Sequence, residues 1–219
     1  SHAVYGLPEL GTGDIPAARL VANPGCYPQT AILGLAPVIG AGVIDAANII
    51  VDSKSGVSGA GRTPKLPYHY PECNESVSAY AVGTHRHTPE IEQALQWLTA
   101  DPVSVIFTPH LMPMDRGILS TIYAPLRGEA SEPHIQSVYR EFAAAHPFVR
   151  YRTAPPATKD TAGTNFLNIR KHLLIKTVFV SVRHNCDNWS SLFNKCDWAM
   201  LEFAASKTFS MDIRQFFKF

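Results

Sequence analysis

Cys26 lies in a stretch of sequence that can activate a cysteine thiol. It follows Asn23-Pro24-Gly25, which favours a tight turn because Pro fixes φ and Gly tolerates positive φ. An apolar run precedes the turn and a helical apolar pattern follows it, so we predict a strand, a turn and a helix that begins at Cys26. At a helix N-terminus, the N–H groups and the macrodipole stabilise the nucleophilic thiolate. The alternative is a small buried cysteine that closes the turn.

A second stretch, residues 53–62, can receive an anion. It follows a predicted strand over 48–52, it is rich in Gly and Ser, and it ends in Arg62. The backbone N–H groups and hydroxyls of such a loop bind anions, and a guanidinium adds a bidentate contact. The alternative is a flexible linker. The stretch matches neither the Gly-Lys-Ser/Thr ending of a phosphate-binding loop nor G-x-G-x-x-G.

Two histidines, His85 and His87, precede a well-signalled helix. Thr88 is a good N-cap, Pro89 suits the first helical position, and Glu90 complements the helix dipole. In an extended chain the two imidazoles lie on one face, as zinc ligands can, but no CxxC or HExxH spacing supports a metal, and we predict none. For either histidine alone, the alternative is a solvated or internally satisfied side chain.

A third loop, over 109–117, carries Arg116 between two predicted strands. The loops that carry His85, Arg62 and Arg116 each follow a strand. They can therefore converge at one edge of a sheet, where the active sites of α/β folds tend to lie.

These residue types suit acyl transfer. Cys26 as a nucleophile needs a proton donor or acceptor, an anion pocket and an electrophile. Two cations near a thiolate favour an acyl phosphate: attack on the carbonyl expels phosphate and leaves a thioester, with histidine as acid or base. Spacing alone does not separate this chemistry from a Cys/His hydrolase, or from a binding or structural module.

The elements that must position these residues alternate between strands and helices, which predicts an α/β fold. We predict strands over about 19–22, 48–52, 103–108, 118–126, 148–151 and 173–182, and helices over about 26–40, 89–99 and 132–145. We expect Pro37 to kink or shorten the first helix.

Composition narrows the function classes. The chain has 219 residues, a net charge of +1, 46% hydrophobic and 17% charged residues, which is ordinary for a globular protein. Without a basic block, nucleic acid and anionic membrane are not expected partners, and no apolar run approaches the roughly 20 residues that span a bilayer. The four cysteines show no disulfide spacing, so we predict reduced thiols and a cytoplasmic location.

Four blocks resemble N-acetyl-γ-glutamyl-phosphate reductases, and they occur in family order with family-like spacing. They are N-P-G-C-Y-P at 23–28, S-G-x-S-G-A-G-R within 53–62, H-R-H-T-P-E-I at 85–91 and T-P-H-L-x-P-M-x-R-G at 108–117. The Y-G-L-P-E run at 5–9 is similar to the family's approach to the cysteine, and the resemblance covers about residues 3–166.

The resemblance implies an enzyme of arginine biosynthesis that uses NADPH. It reduces N-acetyl-γ-glutamyl phosphate to N-acetylglutamate semialdehyde through a cysteine thioester and releases phosphate. The alternatives are a related aminoadipyl-phosphate reductase of lysine biosynthesis, and a catalytically silent fragment that folds and associates.

Site residues follow from matching the blocks. Cys26 is then the nucleophile and His85 the acid/base, with His87 as its rival, and Glu90 positions the histidine. The residues implied to bind substrate are Arg62, Ser55, Arg116 and His87, and those implied to contact the cofactor are Gly25, Ser58, Gly59 and Asn188.

The family fold implied is a Rossmann-type domain with an α+β domain that resembles the C-terminal domain of glyceraldehyde-3-phosphate dehydrogenase, assembled as a homo-oligomer. The expected division is 1–26 for the end of the cofactor domain and the active-site turn, 27–152 for the catalytic and oligomerisation domain, and 153–219 for a divergent return. No glycine-rich nucleotide-binding segment precedes the cysteine, and the chain opens at Ser1, so we expect a fragment.

Overall fold

The computed structural model of the protein describes residues 3–11, 15–172, 177–182 and 200–202. These residues combine α-helices with β-strands, as predicted for an α/β protein. The strands are β1 (Val4–Tyr5), β2 (Val21–Asn23), β3 (Ile49–Ser55), β4 (Ser78–Ala79), β5 (Val105–Leu111), β6 (Ile118–Tyr123), β7 (Val149–Tyr151), β8 (Leu167–His172), β9 (Thr177–Val182) and β10 (Met200–Glu202). The α-helices are α1 (Cys26–Gly40), α2 (Tyr70–Cys73), α3 (His87–Gln96) and α4 (Glu132–Ala145).

The smaller sheet consists of three parallel strands in the order β1-β2-β10. Its central strand, β2, ends at Asn23 and leads directly into the turn before Cys26. Because β2 is hydrogen-bonded on both sides, this sheet positions the turn from its N-terminal side.

The larger sheet has seven strands in the order β4-β5-β3-β6-β9-β8-β7. β3 and β5 are parallel, and β6 is antiparallel to β3. In this register Ser55 lies beside Leu111 and Ile118, so β3 and β5 end where β6 begins. The loops over 56–62 and 112–117 therefore leave the sheet at the same edge, as predicted.

Helix α1 is buried along most of its length and packs on the larger sheet between α3 and α4. It ends at Gly40, shortly after Pro37, as predicted. Its first turn is anchored by hydroxyl groups: Thr30 Oγ1 donates to the Tyr27 carbonyl and lies 2.6 Å from Ser120 Oγ. Ser120 Oγ lies 2.6 Å from Ser53 Oγ, so β3 and β6 hold the start of the helix.

Large apolar side chains stay exposed on the face of the larger sheet away from α1. Ile106 on β5, Ile50 on β3 and Tyr123 on β6 are 64%, 43% and 39% exposed. The register places Ile50 directly between the other two, so they form a row across three adjacent strands. Such a contiguous row is unusual on a solvated surface and indicates an interaction face.

Several element bounds differ from the sequence prediction: β2, β5 and β6 end at Asn23, Leu111 and Tyr123 rather than at 22, 108 and 126. The strand predicted over 173–182 occurs as β9 in its described part, residues 177–182, and the preceding strand β8 was not predicted. β9 pairs with β6 and β8 pairs with β9, so the larger sheet continues beyond residue 152; the domain limits stay a prediction.

Among the described residues, no helix has the length and apolar character needed to cross a membrane.

Candidate active site

Cys26 is the first residue of α1, as its sequence predicts. The preceding residue, Gly25, is extended at φ −63° and ψ 158°, and no side chain caps this helix end. The cysteine is half-buried and is a thiol, not part of a disulfide. The helix N-terminus therefore presents N–H groups and a positive dipole end at the sulfur, which favours an anion there.

The imidazole of His87 lies directly against Gly25. A Cβ atom built on Gly25 would stand 2.5 Å from His87 Nε2 and 2.8 Å from both Cδ2 and Cε1. His87 is only 5% exposed. The ring of His87 therefore occupies the space that any side chain at position 25 would need, one residue from the cysteine.

His85 lies beside His87, with ring centroids 4.7 Å apart, but it has different partners. Its Nδ1 accepts a hydrogen bond from the His87 backbone N–H at 3.1 Å. Burial, with a smaller contribution from the charge of Arg86, lowers the pKa of His85 to about 4. A histidine with this pKa is neutral at pH 7 and is a poor proton donor there.

Glu90 connects the cysteine turn to the smaller sheet. Its Oε1 accepts hydrogen bonds from the Gly25 N–H and from the Tyr5 hydroxyl, both at 2.8 Å. Glu90 is only 2% exposed. Burial, and after it the negative charge of Glu90, raises the pKa of Tyr5. Because Tyr5 is on β1 and Glu90 on α3, this contact fixes the turn relative to both elements.

Two tyrosines border the thiol. Tyr27 and Tyr80 share a hydrogen bond, with 2.8 Å between their oxygens, and the nearby Ser55 side chain partly offsets the rise in the pKa of Tyr27. Burial is the main cause of the raised pKa of each tyrosine, and the charge of Cys26 raises both further. Ser55, predicted to bind substrate, is therefore brought close to the cysteine through Tyr27.

The loop after β3 is held against the loop between β5 and β6. The N–H groups of Gly56 and Ser58 donate to the carbonyls of Gly117 and Asp115, both at 3.0 Å, and Ser58 Oγ donates to Asp115 O at 2.7 Å. A Cβ on Gly56 would stand 2.8 Å from the backbone nitrogen of Arg116. This close approach requires glycine at position 56 and brings two of the predicted anion-binding segments together.

The remaining predicted residues lie further from this centre or outside the described chain. Arg62 is exposed, and in the described residues no hydrogen bond or ion pair involves it. Arg116 is partly exposed, with Nε 3.5 Å from Asp115 Oδ2. Asn188 lies outside the described residues. The described part of the chain contains no group of three or more His, Cys, Asp or Glu side chains arranged to hold a metal ion.

A dinucleotide cofactor finds little support in the described residues. The strand–turn–helix from β2 to α1 has its glycine, Gly25, covered by His87, so that it offers no open cradle for a pyrophosphate. Ser58 and Gly59 lie in a short 3-10 turn over Val57–Ala60. The contacts predicted between these two residues and a cofactor stay a prediction.

Sequence reasoning did not assign Tyr5, Tyr27 or Tyr80 to the site. The first two lie inside stretches that carried the family resemblance, so a signal was present. Tyr80 follows β4, and its N–H donates to Pro109 O at 3.1 Å, so its position depends on the pairing of β4 with β5. Nothing local to residue 80 indicates that pairing.

Comparison with known proteins yields close sequence relatives. The family model described as "Semialdehyde dehydrogenase, dimerisation domain" matches residues 26–188. A protein of Moorella thermoacetica named N-acetyl-gamma-glutamyl-phosphate reductase is 50% identical over 190 residues, covering 86% of this chain and 55% of that protein. A protein of the same name from Rhodopirellula baltica is 53% identical over 171 residues, covering 76% and 49%. The chain thus spans about half the length of the curated relatives it matches.

Solved structures share the fold at low sequence identity. An aspartate semialdehyde dehydrogenase II of Vibrio cholerae, complexed with ASA, superposes with a TM-score of 0.61 at 13% identity, over 84% of this chain and 62% of that one. A probable aspartate-semialdehyde dehydrogenase from Pseudomonas aeruginosa gives a TM-score of 0.57 at 15% identity, over 80% and 60%. The predicted α/β fold class is confirmed by these similarities.

Proposed function

We propose that the chain carries the cysteine and the substrate site of an N-acetyl-γ-glutamyl-phosphate reductase. The chain belongs to the semialdehyde dehydrogenase family, whose dimerisation domain matches residues 26–188. The observation that carries the proposal is the placement of Cys26 at the start of α1, with the His87 imidazole against the adjacent Gly25. A nucleophile at a helix N-terminus beside a buried imidazole suits acyl transfer.

Cys26 attacks the carbonyl carbon of the acyl phosphate. The thiolate forms the C–S bond, the bond from carbon to the phosphate oxygen breaks, and phosphate leaves with the electron pair. The N–H groups at the start of α1 stabilise both the thiolate and the negative oxygen of the tetrahedral intermediate. A nicotinamide cofactor, which we propose is NADP, would supply the hydride that converts the thioester that remains to the semialdehyde.

His87 is the acid/base in this proposal, in place of His85. His87 contacts the residue next to the cysteine, whereas the low pKa of His85 leaves it without a proton to give at neutral pH. His87 takes the thiol proton before attack and gives it to the phosphate oxygen as the carbon–oxygen bond breaks. Glu90 accepts a hydrogen bond from the Gly25 N–H and so fixes the position of Cys26 relative to His87, which is on the same helix as Glu90.

The anionic groups of the substrate are bound at the edge where β3 and β5 end. Ser55 lies next to Tyr27, and the joined loops bring Arg116 beside Gly56. We assign Arg116 and the exposed Arg62 to the phosphate and carboxylate groups, because guanidinium binds both in a bidentate manner.

A second copy of the chain is the proposed partner of the larger sheet. The matching family is described as a dimerisation domain, and the row of Ile106, Ile50 and Tyr123 is exposed on the face away from α1. A two-fold axis through such a face pairs the same apolar row from both copies. A nucleophilic thiol also needs a reducing compartment, which supports the cytoplasm as the location.

The proposal is tested with the complete gene product in the reverse direction, by phosphate-dependent reduction of NADP with N-acetylglutamate semialdehyde. Cys26→Ser is expected to lose at least about 10³-fold in kcat/KM, because an alkoxide forms far less readily than a thiolate. Cys73→Ser is the matched control, since Cys73 is the other half-buried thiol among the described residues and lies at the end of α2. Full activity of Cys26→Ser would refute the assignment of the nucleophile.

Two alternatives are separated by the same preparation. Kinetics with the corresponding aminoadipate semialdehyde, side by side, distinguish an enzyme of lysine biosynthesis. Since the described residues offer no cradle for a pyrophosphate, the 219-residue chain alone can be catalytically silent. Titration of that chain with NADPH decides this point, because saturable micromolar binding contradicts a silent fragment.

A further inference from the structure

His85 has contacts that the proposed chemistry does not use. We infer that His85 is a positioning residue: its neutral imidazole caps the N-terminus of α3 and thereby fixes the direction in which His87 reaches Gly25. The inference rests on the proposed function for its kinetic readout only, since the cap itself is a matter of geometry.

The start of α3 depends on His85 for two hydrogen bonds. The N–H groups of the first helical turn have no partner within a helix and need an acceptor from outside. The His87 N–H donates to His85 Nδ1 at 3.1 Å, and the Thr88 N–H donates to the His85 carbonyl at 3.0 Å. Arg86, which lies between His85 and His87, has helical dihedral angles, and its side chain forms no cap hydrogen bond. His85 therefore does the work that the sequence assigned to Thr88.

An imidazole can accept at Nδ1 only when its proton is on Nε2 and the ring is neutral. The surroundings of His85 favour that form, because the rings packed edge-on against it exclude water and Arg86 is the adjacent cation. The facing groups are Tyr27 on α1, Tyr80 after β4, Phe107 on β5, and His87 on α3. The lowered pKa agrees with this: the cap is intact above the unfolded value of 6.5 and is lost as the pH falls towards about 4.

The cap acts on catalysis through the backbone of His87. That backbone nitrogen is held by His85, and the imidazole of the same residue lies against Gly25. Loss of the acceptor frees the first turn of α3, so that the ring of His87 is no longer held at one position. A loss of alignment of about 1 Å costs on the order of 100-fold in rate.

The test compares His85→Asn with His85→Ala in the complete enzyme. Asn Oδ1 stands the same number of bonds from Cα as His Nδ1, so it can accept from the His87 N–H, but it cannot transfer a proton at neutral pH. We expect kcat/KM of His85→Asn within about 3-fold of wild type with an unchanged pH profile, and a loss of about 10- to 100-fold in His85→Ala. If His85→Asn falls as far as His85→Ala, the inference is overturned.

A spectroscopic measurement decides the cap without any turnover. In histidine-labelled protein, nitrogen NMR is expected to report His85 in the Nε2–H form from about pH 5.5 to about 8, with no titration in that range. A His85 that titrates near about 6.5 overturns the inference even if the enzyme is active. Conversely, an inactive wild-type protein with a neutral, non-titrating His85 overturns the proposed function and supports the cap.

Discussion

Replacement of Gly25 by alanine isolates the contact between the cysteine turn and His87. At φ −63° and ψ 158° the backbone of residue 25 is in a region that alanine adopts freely, so no backbone strain is added. The N–H that donates to Glu90 is also retained. The only new feature is a methyl group that would stand 2.5 Å from His87 Nε2.

The size of the effect follows from that distance. Ordinary van der Waals contact begins at 3.4 Å, so the imidazole has to withdraw by about 0.9 Å. A displacement of this size is expected to lower kcat/KM about 100-fold, which corresponds to about 2.7 kcal/mol of transition-state stabilisation. Gly40→Ala is the control, because it adds a methyl group to the same helix where nothing lies within 4 Å. It is expected to keep full activity and to unfold at a slightly higher temperature.

A double-mutant cycle shows whether the methyl group acts through His87. Phosphate-dependent NADP reduction is measured for Gly25→Ala, His87→Ala and the double variant of the complete enzyme. We expect the double variant to equal His87→Ala, because the displaced ring is then absent. A Gly25→Ala enzyme within about 3-fold of wild type, or two losses that multiply in the double variant, refutes the role given to His87.

Two further predictions concern the loops and the sheet face. Gly56→Ala is expected to lower the free energy of unfolding by about 1–3 kcal/mol in urea titrations, because its methyl group would stand 2.7 Å from the Asp115 carbonyl carbon; unchanged stability contradicts the close approach. Ile106→Arg is expected to shift sedimentation velocity from oligomer to monomer by placing a charge in the apolar row, while Leu66→Arg, equally exposed but on a loop, leaves the oligomer intact.

Features that depend on a few neighbouring residues could be predicted from the sequence. The turn before Cys26, the helix that begins there and its end after Pro37 follow from the conformational limits of Pro and Gly. The α/β class follows from the apolar periodicity of the segments. The common edge at which β3 and β5 end could also be predicted, because parallel strands joined by a helix run in the same direction.

Local competition already limits such predictions at the start of α3. Threonine favours the N-cap position, which predicted that Thr88 caps α3. The helix instead begins at His87, and its first N–H groups donate hydrogen bonds to His85. The aromatic rings around His85 hold its imidazole in the neutral form, and those rings come from α1, from β5 and from the chain after β4. A cap formed by such a side chain depends on packing that short-range rules do not contain.

The contacts that make a site of these residues were decided by the tertiary structure alone. Glu90 reaches Gly25 across 65 residues and Tyr5 across 85, and His87 meets Gly25 only because α3 packs beside α1. The sequence by itself identifies the cysteine, two histidines and a helix that favours a thiolate. Side-chain packing determines which histidine lies against the turn. Neither local segment contains a signal for this contact, because His87 and Gly25 are distant in sequence.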